Sequence, residues 1–305
     1  MSASTMNWAS MAILSAVTLT VVNTIDSHLL SRRMPGLRAF LLPTGIISLI
    51  YALLLFFLFP LPDGIGIWPV LVALASGILR TTALIIMLYN LKREEVSQVI
   101  PVVYTYPIFV AIMAVLLLGE TLGYLQWLAV IIVVAGAVMV SVKQSQSGST
   151  RWLGKPLLLL FGSSLLLAVA DITGKYALAY ISFWSMVYLT AFCLSGTFLL
   201  ISMRPHILGQ LSSMKRRNPT IALLTFNETL APIGAALLFW ALEMGPVSLV
   251  SAIVGSRPMF VVIFTLILSR ILPGFLKLQY SRGMLALRLI GSAMVVGGIT
   301  VIYLT

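Results

Sequence analysis

Charge is scarce in this chain of 305 residues: only 9% are Asp, Glu, Lys or Arg, 60% are AVILMFWYC, and mean hydropathy is +1.08. A soluble domain carries about a quarter charged residues, so a water-soluble fold is excluded. Histidine and cysteine are scarcer still, with two and one. The lone Cys193 cannot form an internal disulfide and says nothing about redox compartment. There is no His-Glu-x-x-His metal motif, no Ser or Cys nucleophile with a base nearby and no phosphate-binding loop. These absences argue against an intramembrane enzyme and against direct drive by ATP. No metal and no cofactor are expected.

What is present is length enough for about ten membrane spans at about 20 apolar residues each. The apolar runs are Trp8 to Leu30, Ala39 to Phe59, Trp68 to Leu91, Val96 to Leu118, Leu125 to Val142, Pro156 to Leu178, Ser182 to Met203, Thr220 to Leu242, Val247 to Leu268 and Leu289 to Leu304. All six tryptophans (Trp8, Trp68, Trp127, Trp152, Trp184, Trp240) fall at or near the ends of these runs, where an indole suits headgroup depth. MSASTMNWAS has no basic region and no small-residue cleavage site follows it, so the first run reads as a retained helix.

The formal charge of +11 would suggest nucleic acid in a soluble protein, but its placement assigns it to topology. Sixteen of the 19 Lys and Arg residues lie in the connections after spans one, three, five, seven and nine: Arg32, Arg33, Arg38; Lys92, Arg93; Lys143, Arg151, Lys155; Arg204, Lys215, Arg216, Arg217; Arg270, Lys277, Arg282, Arg288. Short basic loops stay cytoplasmic, which puts both termini on the extracytoplasmic side of a bacterial or archaeal plasma membrane. No nucleic-acid partner is expected.

The halves repeat, residues 1–146 against 147–305. A shift of 151 positions superimposes Val96, Ser97, Val99, Val103, Pro107, Phe109, Val110, Ile112 and Leu117 on Val247, Ser248, Val250, Val254, Pro258, Phe260, Val261, Ile263 and Leu268. Five spans separate equivalent positions, and an odd number inverts the second copy. The fold predicted is an all-α membrane protein of ten transmembrane helices in a 5+5 inverted repeat, a plan that carriers use for alternating access.

The fourth span, EEVSQVIPVVYTYPIFVAIMAVLLLGETL, and its counterpart GPVSLVSAIVGSRPMFVVIFTLILSR resemble the EamA-type branch of the drug/metabolite transporter superfamily, most specifically through Pro107 and the closing Gly119-Glu120. The ninth span departs from that pattern by ending in Ser269-Arg270. The resemblance implies export or exchange of small metabolites from a central cavity, with spans five and ten at the periphery.

Ionisable residues inside spans are costly and tend to face a cavity or a partner. Arg80, Lys175 and Arg257 balance Asp26, Asp171 and Glu228. Asp171 and Lys175, four apart in span six, read as a structural pair. Arg80 and Glu228 come from symmetry-related spans three and eight, and suit either a mutual salt bridge or substrate contact. Arg257 precedes Pro258 and is the repeat equivalent of Tyr106 before Pro107, so it is the leading substrate-binding candidate. Tyr104, Tyr106, Gln98 and Asn227 could line the same cavity, although tyrosines in an apolar helix often only pack. Glu228, Asp26 and Asp171 are the proton-coupling candidates. His28, near Asp26 and Asn23, suits a helix C-terminus. Glu120 reads first as a helix-end signal and second as a gate. Gly136, Gly291, Gly297 and Gly298 permit close helix approach, either for packing within the chain or for a homodimer through spans five and ten.

Two function classes follow. One is a secondary transporter of a small anionic or zwitterionic metabolite, such as an amino acid or organic anion, with coupling to protons as a candidate drive. The other is a flippase for a lipid-linked sugar or polyprenyl phosphate, which needs a lateral opening. In either case the partners are a small molecule and the lipid bilayer.

Overall fold

In lipid every backbone N–H and C=O has to be satisfied inside its own segment, and apolar runs of this length meet that demand as helices. The computed structural model describes residues 3–62, 64–93, 103–141, 155–214, 217–271 and 282–305. Among these the chain is helical with no strand. In chain order the helices are α1 (Ala3–His28), α2 (Leu37–Leu58), α3 (Ile67–Arg93), α4 (Tyr106–Leu117), α5 (Tyr124–Ser141), α6 (Lys155–Leu178), α7 (Phe183–Ser202), α8 (Pro205–Ser212), α9 (Arg217–Met244), α10 (Val247–Val254), α11 (Arg257–Ile271) and α12 (Arg282–Leu304). Nine stretches of the described residues are long and apolar enough to cross a membrane, and α4 adds a shorter apolar one.

Nine of the ten predicted spans are matched by helical stretches of spanning length, and the fourth is described only from residue 103; their bounds change in places. Span one continues past His28 through a single π-helical turn, Leu29–Arg33. Spans eight and ten begin earlier than the apolar runs, at Arg217 and Arg282, because arginine is a good helix former and a hydropathy reading stops at the first charge. The short helix α8, in the basic connection after span seven, has no counterpart in the apolar pattern.

Span nine is two helices, α10 and α11, parted at Gly255 and Ser256. Pro258 has no N–H, so the carbonyl of Val254 loses its ladder partner. A Cβ at Gly255 would come within 2.7 Å of Pro107 Cγ, so only glycine lets the fourth span lie this close. Span four carries the equivalent break, a turn at Tyr104 and Thr105 before α4 starts at Tyr106. The two interrupted spans thus meet at the prolines that interrupt them.

Packing follows the inverted repeat. Helix α1 lies against α9 and α3 against α6, each the symmetry image of the other, while α2 pairs with α7 and α5 with α12. The α5–α12 contact is backbone to backbone: a Cβ at Gly136 would meet the Gly291 carbonyl at 2.6 Å, and one at Gly298 would meet Val133 Cγ2 at 2.5 Å. Those glycines serve packing within the chain, whereas Gly297 faces open space.

Candidate substrate site

Two polar clusters lie among the spans, the first of them against the two interrupted ones. The first is built around Asp171 of α6. Arg80 of α3 donates Nη2–H to Asp171 Oδ1 at 2.7 Å, and Ser251 of α10 donates its hydroxyl to Oδ2 at 2.6 Å. Tyr106, at the start of α4, donates its hydroxyl to the Ser251 carbonyl at 3.3 Å. The Arg80 guanidinium also stands over the Phe239 ring of α9, 5.3 Å from its centre. Five spans contribute to one carboxylate and its neighbours.

This arrangement corrects both expected pairs. Asp171 pairs with Arg80 across the α3–α6 contact and not with Lys175 one turn away on its own helix. Lys175 instead donates to the carbonyls of Leu242 at 2.6 Å, Gly245 at 2.9 Å and Glu243 at 3.3 Å. A helix end leaves carbonyls without partners, and the C-terminus of α9 offers them within reach of this ammonium. Glu228 does not pair with Arg80: it accepts from the Ser48 hydroxyl of α2 at 2.9 Å.

The second cluster holds Glu228 and Asp26. Asn227 donates Nδ2–H to Asp26 Oδ1 at 2.6 Å, while Asn227 Oδ1 is buried without a hydrogen-bond partner. The two carboxyl groups are close enough to repel. Neither forms an ion pair among the described residues, where the salt bridge within the spans is Arg80–Asp171. Tyr104, at the break in span four, is within hydrogen-bonding reach of Asn23 and within electrostatic reach of Arg257.

Arg257 joins the clusters. It opens α11, and its charge reaches both Tyr104 and Tyr106. Its Nε is buried with no hydrogen-bond partner. A buried guanidinium atom left unpaired is costly, and an anion would satisfy it. The N-termini of α4 and α11 sit at the same two breaks, and helix N-termini favour negative charge.

Arg80, Asp171 and Tyr106 thus belong to one cluster, Asp26, Asn227 and Glu228 to a second, and Arg257 neighbours Tyr104 and Tyr106; Lys175 stands apart from them, and Gln98 lies outside the described residues. Ser48, Ser251 and Phe239 were missed. Isolated serines and a phenylalanine in apolar spans carry no signal until the partner helix is known.

At the end of the bundle away from the basic loops, the α9–α10 junction is held from both sides. Glu120 accepts the Val247 N–H at 2.6 Å, and the Ser248 N–H at 3.3 Å and hydroxyl at 2.5 Å, capping α10. Lys175 holds the α9 carbonyls, and Trp8 packs so tightly on Gly245 that a Cβ there would fall 2.6 Å from its ring. Trp8 is therefore buried and not lipid-facing, unlike Trp68, which is 63% exposed.

Residues 6–142, the first five-helix repeat, match the EamA-like transporter family. No curated protein matches the chain. A solved structure titled only "Crystal structure of protein" is 18% identical with a TM-score of 0.67, covering 99% of this chain and 96% of that one. At that identity the likeness shows the fold, and it does so over nearly the whole length.

Proposed function

We propose, starting from the membership of residues 6–142 in the EamA-like transporter family, that this membrane transporter moves a small anionic or zwitterionic metabolite by alternating access. The observation that carries the reading is the pair of equivalent breaks in spans four and nine, which presents Arg257 between two tyrosines and two helix N-termini. A carboxylate or phosphate of the substrate meets Arg257. An amine, where there is one, meets Glu228 and Asp26. Arg80 and Asp171 neutralise each other and set the geometry of Tyr106 through Ser251.

The buried carboxyl of Glu228 and the half-buried one of Asp26 supply proton coupling, because neither carries a fixed cation and a bound amine would compete with a proton for them. The junction held by Glu120, Lys175 and Trp8 ties the end away from the basic loops, so the conformation described faces the basic-loop side. That side is cytoplasmic and both termini lie outside. A homodimer through spans five and ten would use the faces left free by the Gly136–Gly291 contact, with Gly297 among them.

The test is uptake or efflux in liposomes under an imposed pH gradient. Glu228→Gln should abolish the pH-driven component while the protein keeps its fold and its ligand-induced stabilisation. Unchanged pH dependence would remove Glu228 from the coupling role.

A further inference from the structure

A lateral groove of about 380 Å³ opens between α2, α7 and α9 in the half of the bundle away from the basic loops. Its walls are apolar and aromatic, among them Leu55, Trp184, Ile233 and Trp240. Ile233 is 50% exposed on the surface that a bilayer would cover. At its inner end the Tyr51 hydroxyl and Thr229 Oγ1 are 2.7 Å apart, bridging α2 to α9.

The next bridge between the same two helices is Ser48 to Glu228 at 2.9 Å. Ser48 lies three residues before Tyr51, on the same face of α2. Glu228 lies four residues before Pro232, a groove residue of α9. Pro232 has no N–H to offer, which also releases the Glu228 backbone carbonyl from the helix ladder. The apolar groove is therefore lined as far as Tyr51 and Thr229, and a buried carboxylate and a spare carbonyl lie one helical turn beyond that lining. A single hydroxyl bridge separates the two.

We infer that this groove receives the apolar part of an amphiphilic amine, which reaches Glu228 sideways from the bilayer. The inference rests on the reading of Glu228 as the amine contact and names the class of molecule that contact serves. Charge complementarity selects the occupant. Acceptors gather at the inner end, where an ammonium fits and a phosphate would be repelled. A bilayer acyl chain would fill the walls but bring the carboxylate no cation, leaving it only the Ser48 hydroxyl. A route from the side also suits a conformation in which Glu120, Lys175 and Trp8 tie the axial end on that side.

The experiment uses the full chain in nanodiscs and an alkylammonium with a bromine on its tail, which quenches indole on contact. Trp184 and Trp240 report from the groove walls. Quenching should saturate for the ammonium but not for the alcohol or phosphate of equal chain length, and Glu228→Gln should raise half-saturation at least tenfold. Saturation by the alcohol at the same concentration would make the groove a seat for bilayer chains. Tighter binding of the phosphate would reverse the headgroup charge. An unchanged half-saturation in Glu228→Gln would also overturn the inference. Should Glu228→Gln not fold, Thr229→Trp fills the inner end with the carboxylate intact. It should abolish saturation, and normal binding there would count against the site. Saturable alkylammonium quenching with no unfolding shift from any small anion would overturn the anion site alone, and an anion shift without saturable quenching would overturn this inference alone.

Discussion

Glu120, at the end of the fourth span, caps the first turn of the ninth through the N–H of Val247 at 2.6 Å. The first four N–H groups of a helix have no partner within it, and here the partner comes from the symmetry-related span. Residue 120 corresponds to Ile271 in the second repeat, so the capping carboxylate is not repeated in the sequence. The tie belongs to the first repeat's residue alone, an asymmetry on which alternation between two states can act.

Removing that cap should cost about 0.5–2 kcal/mol, the range for losing a side-chain acceptor at a helix N-terminus. Thermal unfolding of Glu120→Ala in detergent should show the loss, and Glu120→Gln should recover part of it. A Tm equal to that of the native protein would mean the contact does not hold the junction.

Breaking Arg80–Asp171 from one side should be severe. Asp171 is nearly fully buried, with its side chain 3% exposed, while that of Arg80 is 21% exposed. Losing one partner of a buried pair costs about 3–5 kcal/mol, and partial solvent access to Arg80 places this pair at the lower end. Asp171→Asn and Arg80→Met should each destabilise more than the double variant does. Additive losses would contradict the pairing.

Lys175→Met should destabilise by depriving three carbonyls of their donor, and its effect should add to that of Asp171→Asn. Residues without shared partners combine within about 0.5 kcal/mol. Strong coupling in that double-mutant cycle would restore the pair suggested by their four-residue spacing.

That failure shows where the sequence stops being legible. Hydropathy found the spans because lipid forces whole segments into helices. The repeat exposed the special positions Tyr106, Pro107, Arg257 and Pro258 because proline marks a backbone that cannot continue its ladder. Partners were another matter. Asp171 could reach Lys175 along its helix or Arg80 across a contact, and only tertiary packing decides, since the α9 carbonyls compete for the ammonium. Ser48 and Ser251 were silent because serine is ordinary in an apolar span. Glu228 stood out as a carboxylate in lipid, yet nothing in the chain announced that an apolar groove would open one helical turn from it.

Gly136→Leu should force apart α5 and α12, because a Cβ there already meets the Gly291 carbonyl at 2.6 Å. Overpacking of this kind costs about 1–3 kcal/mol or more. Gly297→Leu, facing open space, should leave the monomer's stability unchanged, and a change in oligomeric state of that variant alone would locate the dimer face. Equal destabilisation by both substitutions would contradict the packing described.

Arg257, at the break in the ninth span, is the residue proposed to receive the substrate's anionic group. The most direct test of that role is the ligand-induced shift in unfolding of purified protein across amino acids, organic anions, sugar phosphates and polyprenyl phosphates. A ligand at a hundred times its Kd stabilises the folded state by about 2.7 kcal/mol. The account predicts such a shift for at least one small anion or zwitterion and its disappearance in Arg257→Ala. A full shift retained by Arg257→Ala would contradict it.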